Sequence, residues 1–365
     1  MGKQPSLPNK VALLERRFGS HDPRHSKTNW QIRYGVKWYD KDLIGQGNTF
    51  AFIDAFGEVM TGPLEPDMDY SPVKDYDLIY VRIRAPPCVV GVKQLREQCP
   101  DPVIIVYTDE LANENIKNLC HGGWLYDASK CVDAITCGFP EKYDRPKFEK
   151  MGITNYVFCP YASSVYHWLN WWKDYEDKKN VVSGMWHIRS FMAGGCGDRI
   201  HSRTLKIMKY LQTNYDVECR FFLNFDGWKL ETQIKKFAES NGLEVELVRH
   251  VDNNVFNNMM AESKIFIEEY QCPNYSRATV VSASVGTPQV GTDMNTPSNV
   301  LFPETTVPHG DWDGFVERCE RLLTDDEFYN DVQAKALKRS SYFYYPRFRG
   351  RVLRMYNMIR NERNL

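Results

Sequence analysis

Apolar and polar positions alternate along this chain in the order expected of a layered α/β protein. In the first half, the largely apolar run at residues 78–83 (LIYVRI) and the continuous apolar run at 103–107 (VIIVY) are typical of strands buried on both faces. In the second half, short apolar strands at residues 181–184, 219–223, 245–248 and 264–267 alternate with helical patterns at 202–213, 230–241 and 254–262. This alternation predicts parallel sheets covered by helices.

The length of the chain predicts two domains, because its 365 residues exceed the roughly 250–300 that one hydrophobic core serves. Residues 1–30 are polar and basic without a clear period, and we expect an N-terminal arm there. The pattern then predicts a first α/β domain at 31–165, an aromatic and charged crossover linker at 166–180 and a second α/β domain at 181–340. A basic, aromatic helix follows at 341–365.

The stretch at residues 265–293 carries the clearest local order: strand, polar loop, helix, Gly286-Thr287-Pro288, strand. Its helix opens at Ser276, just beyond a strand end, with Arg277, Ala278 and Thr279 in the first turn. Backbone N–H groups and the positive end of the helix dipole suit a diphosphate at such a place. The alternative is a βαβ unit of any parallel α/β domain.

A second candidate segment, residues 184–203, follows the first strand of the second domain and reads GMWHIRSFMAGGCGDRIHSR. Glycines such as Gly184 let backbone N–H groups approach phosphates, and Arg189 and Arg203 could pair with phosphate oxygens. His187 could hydrogen-bond a phosphate or a leaving group. The segment contains neither a P-loop nor a dinucleotide fingerprint, and a surface loop with solvated arginines is the alternative.

Asp109 follows the strongest apolar strand of the first half, with Glu110 beside it. Ligands bind outside the carboxyl ends of strands in open α/β sheets, and a carboxylate there can remove a proton from an acceptor hydroxyl. A helix N-cap is the other interpretation of an aspartate at this position.

The composition and the net charge of the chain limit the classes of function that it could have. The net charge of −1 gives no global electrostatic footprint for nucleic acid. The ten cysteines form no zinc-site spacing, and no metal site stands out. The absence of a signal core or a membrane-length apolar run predicts a cytoplasmic protein, in the host cytoplasm if the protein is viral. The basic, aromatic C-terminus predicts either a helix with a buried aromatic face or a contact with nucleic acid or a membrane surface.

These motifs together resemble GT-B glycosyltransferases. Residues 265–293 look like the donor-binding segment, whose helix closes with a Gly-Thr-Pro-type turn, and Gly184 and Arg189 match a glycine and an arginine of the DNA glucosyltransferase and CgeB-like kinds. The run VIIVYTDE is similar to the acceptor domain of phage DNA β-glucosyltransferases, where a strand ending in Thr-Asp supplies the base. The resemblance implies two Rossmann-like domains facing across a cleft, with the donor in the second and the acceptor in the first.

The implied function is transfer of a sugar from a UDP- or GDP-linked donor to an acceptor hydroxyl, inverting and without a bound metal or other cofactor. Asp109 would be the base, with Glu110 as its substitute. The donor-binding set would comprise Gly184, His187, Arg189, Arg203, Val251, Ser276, Arg277, Ala278 and Thr279.

One departure from the family pattern concerns the ribose. Many members have a glutamate five residues before the Gly-x-Pro glycine, and Val281 stands there in this chain. Glu268 or Glu269 would then hold a sugar hydroxyl, unless backbone atoms do so or binding is lost.

The acceptor stays open among a glycan, a lipid, a protein and a hydroxymethylated DNA base, and peripheral membrane contact is compatible with each. A non-catalytic module that binds a nucleotide or a glycan is the alternative from another class.

Overall fold

The structure is a computed structural model that describes residues 7–15, 31–34, 52, 55–83, 88–108, 123–163, 169–186, 197–223, 228–249, 251–270 and 273–364. The chain divides into two compact units. The first comprises Met1–Asp40, Gly45–Ala162 and Tyr345–Leu365, and the second comprises Lys41–Ile44 and Ser163–Tyr344. The sequence pattern predicts the corresponding boundaries at 165, 181 and 340.

A mostly parallel sheet forms the centre of the first unit. In the part of the chain that the structure describes, its strands are β1 (Val11–Glu15), β2 (Gln31–Tyr34), β3 (Glu58–Pro63), β4 (Leu78–Ile83), β5 (Val103–Thr108), β6 (Ala134–Cys137) and β7 (Tyr156–Phe158). Their order is β2-β3-β1-β4-β5-β6-β7, and β2 alone of these runs antiparallel to its neighbour. Every residue of β4 and β5 is buried, which explains why their sequences are mostly apolar.

The strand β1 corrects the expectation of an arm over residues 1–30. Val11–Glu15 lies inside the sheet, parallel to both β3 and β4, with Ala12 opposite Met60 and Ile79. Ala12 and Leu14 are fully buried. This strand has only five residues, and its neighbours come from much later in the chain, so local periodicity does not reveal it.

Helices α1 (Cys88–Gln98), α2 (Trp124–Ser129) and α3 (Glu141–Lys150) accompany this sheet, and the C-terminal helix Tyr345–Glu362 belongs to the same unit. The buried residues of the C-terminal helix recur at helical spacing: Phe348, Val352, Met355, Tyr356 and Ile359. The ring of Phe348 lies 6.0 Å from that of Phe52 and 6.3 Å from that of Tyr80. Its aromatic face is therefore used in packing within the first unit.

The second unit has a fully parallel sheet among the described residues. Its strands are β8 (Lys179–Trp186), β9 (Glu218–Leu223), β10 (Val245–Val248), β11 (Ser263–Glu268), β12 (Gln289–Thr292) and β13 (Thr306–Val307). Their order is β10-β9-β8-β11-β12-β13. The chain builds outward from β8 to β10 and then crosses back to β11, so the topological switch point lies between β8 and β11. The strands predicted for this half of the chain are confirmed.

The helices of the second unit are α4 (Gly197–Tyr215), α5 (Trp228–Asn241), α6 (Asn253–Glu262), α7 (Arg277–Ser284), α8 (Thr296–Leu301), α9 (Trp312–Thr324) and α10 (Asp326–Ser340). Four of them begin after a residue whose side chain accepts a hydrogen bond from a backbone N–H three residues on: Asp252, Ser276, Asp311 and Asp325. The helix opening predicted at Ser276 is one of these. No helix within the described ranges is long and apolar enough to cross a membrane.

Candidate functional site

The switch point of the second sheet gathers several of the predicted donor-binding residues. Gly184 in β8 pairs with Ile267 in β11, so the carboxyl ends of these two strands lie side by side. Glu268 ends β11, Glu269 follows it, and Ser276 caps α7 directly afterwards. Ligands of open α/β sheets bind at such a place.

Glu268 lies at the centre of a buried hydrogen-bond network. Its Oε1 accepts from the hydroxyls of Tyr270 at 2.5 Å and Ser276 at 2.9 Å. Its Oε2 accepts from the hydroxyl of Thr279 at 2.8 Å and the amide of Gln289 at 3.1 Å. Burial raises the pKa of this carboxyl, and the four hydrogen bonds oppose that shift. The carboxylate thus ties β11 and β12 to the first turn of α7.

Asn295 extends this network from the loop that precedes α8. Its Oδ1 accepts from the backbone N–H of Ser276 at 2.9 Å, and its Nδ2 donates to Thr279 Oγ1 and Ser298 Oγ, both at 2.8 Å. The N–H of Thr279 also has an internal acceptor, Ser276 Oγ at 3.4 Å. The first turn of α7 is therefore held in place before any ligand arrives.

Glu269 has a different environment from its neighbour. Its side chain is 6% exposed, and its Oε1 accepts from Arg203 Nη1 at 3.1 Å. Its Oε2 is buried and has no hydrogen-bond partner among the residues that the structure describes. Burial raises the pKa of the Glu269 carboxyl, and Arg203 opposes the shift. The predicted residues Arg203 and Glu269 are therefore in direct contact.

Arg203 and Glu269 line a pocket of about 280 Å³ within the second unit. Its wall is completed by residues of α4, the last residue of β12 and the start of α9: Lys206, Ile207, Thr292, Gly310, Asp311, Trp312 and Phe315. The pocket combines two cationic side chains, a buried carboxylate and an aromatic wall. Such a mixture of apolar surface and a few convergent polar groups is typical of small-molecule sites.

Gly184 and Val281, two positions that the resemblance singled out, have packing roles. A Cβ at Gly184 would lie 2.8 Å from Met208 Cε and 3.2 Å from the ring of Phe221, so the glycine allows β8 to approach α4 closely. Val281, at the position where the resemblance leads one to expect glutamate, is 3% exposed and belongs to the core. Val251 is partly buried and precedes the N-cap residue of α6.

Four predicted site residues, Asp109, Glu110, His187 and Arg189, lie outside the described residues. Thr108, which immediately precedes Asp109, ends β5 and is fully buried.

Sequence reasoning missed Asn295 and Trp312. Asn295 precedes Thr296-Pro297 at a helix start, and Trp312 follows Gly310-Asp311 at another. These turn and capping signals predict where the helices begin, but they do not indicate that either side chain faces the switch-point region.

No protein-family model matches this sequence, and no curated protein matches it. Solved structures do match the fold. The chain is similar to a UDP-forming α,α-trehalose-phosphate synthase from Burkholderia xenovorans, with 11% identity and a TM-score of 0.66 over 96% of this chain and 99% of that one. It is also similar to HepE from Anabaena in complex with UDP, with 10% identity and a TM-score of 0.64 over 94% and 98%. An E. coli trehalose-6-phosphate structure bound with UDP-2-fluoro glucose gives 9% identity and a TM-score of 0.63 over 96% and 99%.

At these identities the similarity concerns the fold. The chain has the GT-B fold, an α/β architecture with two Rossmann-like domains, as the resemblance implied. The finer resemblances to phage DNA β-glucosyltransferases and to CgeB-like proteins stay predictions.

Proposed function

We propose that this protein is a glycosyltransferase that moves a sugar from a UDP- or GDP-linked donor to an acceptor hydroxyl. The observation that carries the proposal is the fold match over 94–96% of the chain to structures described as complexes with UDP or UDP-2-fluoro glucose. The pocket beside the switch point of the second sheet supports it, because this is where open α/β sheets bind ligands.

The second unit supplies the donor site in this proposal. The diphosphate lies at the first turn of α7, where the backbone of Arg277 and Ala278 and the Arg277 guanidinium face its charge. The N–H groups of Ser276 and Thr279 already have internal acceptors, so they position the turn. His187, Arg189 and Arg203 add donors on the β8 side, and the backbone of Val251 contacts the base.

The first unit supplies the acceptor site. Asp109 follows the carboxyl end of β5 and removes the proton of the acceptor hydroxyl, with Glu110 as the nearest substitute. A carboxylate base of this kind implies inversion at the sugar carbon. Arginines and the α7 turn stabilise the departing diphosphate electrostatically, which is a role that needs no metal. The acceptor is a glycan, a lipid, a protein or a modified DNA base, and the net charge of −1 favours the first three.

Calorimetric titration of the full chain with UDP, GDP, ADP and UMP tests the donor site. We expect one diphosphate to bind and the monophosphate to bind more weakly, because the α7 turn recognises the second phosphate. Arg277→Met should weaken diphosphate binding at least tenfold, which corresponds to about 1.4 kcal/mol.

The matched control is Arg321→Met, which removes the same charge from the far end of α9, where Arg321 pairs with Asp325 at 3.2 Å. This variant should bind like the wild type. If the wild type binds no diphosphate, the glycosyltransferase proposal is wrong.

A further inference from the structure

We propose that Asp144 makes the first turn of α3 a pH-sensitive latch of the first unit. While Asp144 carries its proton, the turn stays packed against β6 and β7; once the proton is lost, the turn opens and the carboxylate moves into water. The inference concerns the first unit alone, so it does not rest on the proposed function or on nucleotide binding.

Asp144 occupies a core position of an otherwise polar helix. The helix α3 has the sequence EKYDRPKFEK, and its buried residues are Asp144 and Phe148. Residues four apart lie on the same face of a helix, and this face is the one that packs inward. The side chain of Asp144 is fully buried at a position where an apolar residue would be expected. Its burial therefore calls for a physical explanation.

The surroundings of Asp144 hold no strong partner for a negative charge in the described part of the chain. Neither of its oxygens has a hydrogen-bond partner of ordinary geometry there. The thiol of Cys137, at the end of β6, acts on the carboxyl, but a thiol is a weak donor. The hydroxyl of Tyr156 in β7 is close enough to feel the charge of Asp144, and it is also buried and unpaired among these residues. An ionised carboxyl is costly in such a place.

The charged side chains of α3 compensate for this burial only in part. Lys147 favours the carboxylate, while Glu141 and Arg145 form an exposed pair with each other. Burial raises the pKa of Asp144 from its ordinary value of 3.8 to about 7, against the opposing effects of Cys137 and Lys147. The buried side chain is therefore mostly neutral at pH 5, and at pH 8 it would be mostly ionised.

Few hydrogen bonds hold the first turn of α3. Pro140 at the N-cap has no side-chain acceptor, and its carbonyl accepts from the N–H groups of Tyr143 and Asp144 at 2.9 and 3.2 Å. Pro146 has no N–H, so the helix lacks the hydrogen bond that would reach back to Lys142. Weakly bonded helix ends open locally at a low cost in free energy. The packing of Asp144 therefore contributes to whether this turn is closed.

The latch lies at the carboxyl edge of the first sheet. The strand β6 runs parallel to β5 with Thr136 opposite Tyr107, and α3 follows β6 after a short turn. Open α/β sheets bind ligands at this edge. Opening of the first turn of α3 would therefore loosen the edge at alkaline pH and leave it closed at acidic pH.

The direction of the pH effect follows from the two pKa values of Asp144. In the opened turn the carboxyl is in water with its ordinary pKa, so between about pH 4 and pH 7 the closed form holds a proton that the open form has lost. The closed form therefore loses stability relative to the open form as pH rises, by up to about tenfold per pH unit in the opening equilibrium. The loss is complete above about pH 7 and should reach about 100-fold between about pH 5 and pH 8.

Amide hydrogen exchange of the full chain at pH 5, 6, 7 and 8, followed by mass spectrometry over residues 141–150, measures this opening. Protection factors remove the intrinsic pH dependence of exchange. In the wild type we expect the protection of α3 to fall at least about tenfold from pH 5 to pH 8. In Asp144→Asn, which has no titratable group at this position, the protection should stay constant across the same range.

The matched control is Glu149→Gln, which removes the same charge from an exposed position of the same helix. This variant should keep the pH dependence of the wild type. The helix α5 of the second unit provides an internal reference, because its protection should be equal in the wild type and in Asp144→Asn at every pH. If Asp144→Asn does not fold, Asp144→Ala takes its place, since alanine buries no polar group.

Either of two results would overturn the inference. One is constant protection of α3 in the wild type between pH 5 and pH 8, which is decisive without any variant. The other is an equal fall of protection in the wild type and in the Asp144 variant, which would assign the titration to another group. Neither result bears on nucleotide binding, so the proposed function is tested separately.

Discussion

At the scale of single residues, two adjacent glutamates have opposite environments. Glu268 accepts four hydrogen bonds and holds the start of α7, whereas Glu269 has one buried oxygen without a partner in the described part of the chain. From the sequence alone, two adjacent glutamates at the end of a strand cannot be distinguished. Their roles are separated only by contacts that form in the folded unit, with Ser276 and Gln289 at Glu268 and with Arg203 at Glu269.

Glu268→Gln tests the anchoring role. The amide NH₂ of glutamine would face side-chain donors in place of an acceptor oxygen, leaving buried groups unsatisfied. We expect the free energy of unfolding of the second unit to fall by roughly 2–3 kcal/mol. Denaturant unfolding measures this loss, and hydrogen exchange should show faster exchange within α7.

The same substitution at Glu317 provides the control. Glu317 is 65% exposed and pairs with Arg318 at the surface of α9. Its replacement should change stability by less than about 0.5 kcal/mol. Equal unfolding free energies for the two variants would show that the buried network does not stabilise α7.

At the scale of elements, the contacts of the Gly-Thr-Pro turn explain why its first position requires glycine. Gly286 follows α7 with φ of +78°, and a Cβ there would lie 2.8 Å from the carbonyl oxygen of Lys173 and 2.9 Å from Gln333 Nε2. Thr287 Oγ1 donates to the carbonyl of Met260 at 2.7 Å. The turn thus joins α6, α7, α10 and the segment before β8.

Gly286→Ala should therefore destabilise the second unit by two separate effects. The left-handed backbone costs an alanine about 1–2 kcal/mol, and the contact with the Lys173 carbonyl adds to this. Gly242→Ala is the control in the same unit, since Gly242 has φ of +61° and its Cβ would meet only Lys209 Nζ, at 3.8 Å. Thermal unfolding should show a clearly larger loss for Gly286→Ala. Equal losses for the two variants would mean that the left-handed backbone alone, and not the contact with Lys173, requires glycine at position 286.

The elements also show how far sequence reasoning reaches. The strand–helix–turn–strand order at residues 265–292 was predictable because its signals are local: an apolar run, a serine N-cap and a Gly-x-Pro turn. The strand β1 was missed because its burial depends on β3 and β4, which come much later in the chain. Two residues of the pocket, Arg203 and Glu269, were predicted as donor-binding residues. Trp312 was missed for the same reason as β1, since α9 brings it beside Glu269 only in the folded unit.

At the scale of the whole molecule, the proposed steps of the reaction belong to different units of the chain. The α7 turn and the Glu269 pocket lie within Ser163–Tyr344, whereas Asp109 lies within Gly45–Ala162. The proposal therefore predicts that donor binding and proton removal can be altered independently.

Asp109→Asn should leave the affinity for the nucleoside diphosphate unchanged but lower turnover. Removing a general base costs roughly 100- to 10,000-fold in rate, because the acceptor hydroxyl then attacks without losing its proton to the enzyme. Release of nucleoside diphosphate from the sugar donor measures this even before the acceptor is known, because the proposed base would also activate a water molecule in place of the acceptor. Glu110→Gln serves as the neighbouring control and should retain turnover. If Glu110→Gln loses turnover and Asp109→Asn keeps it, the base is Glu110. If the wild type binds the donor but shows no turnover with water or any candidate acceptor, the protein is a binding module and not a transferase.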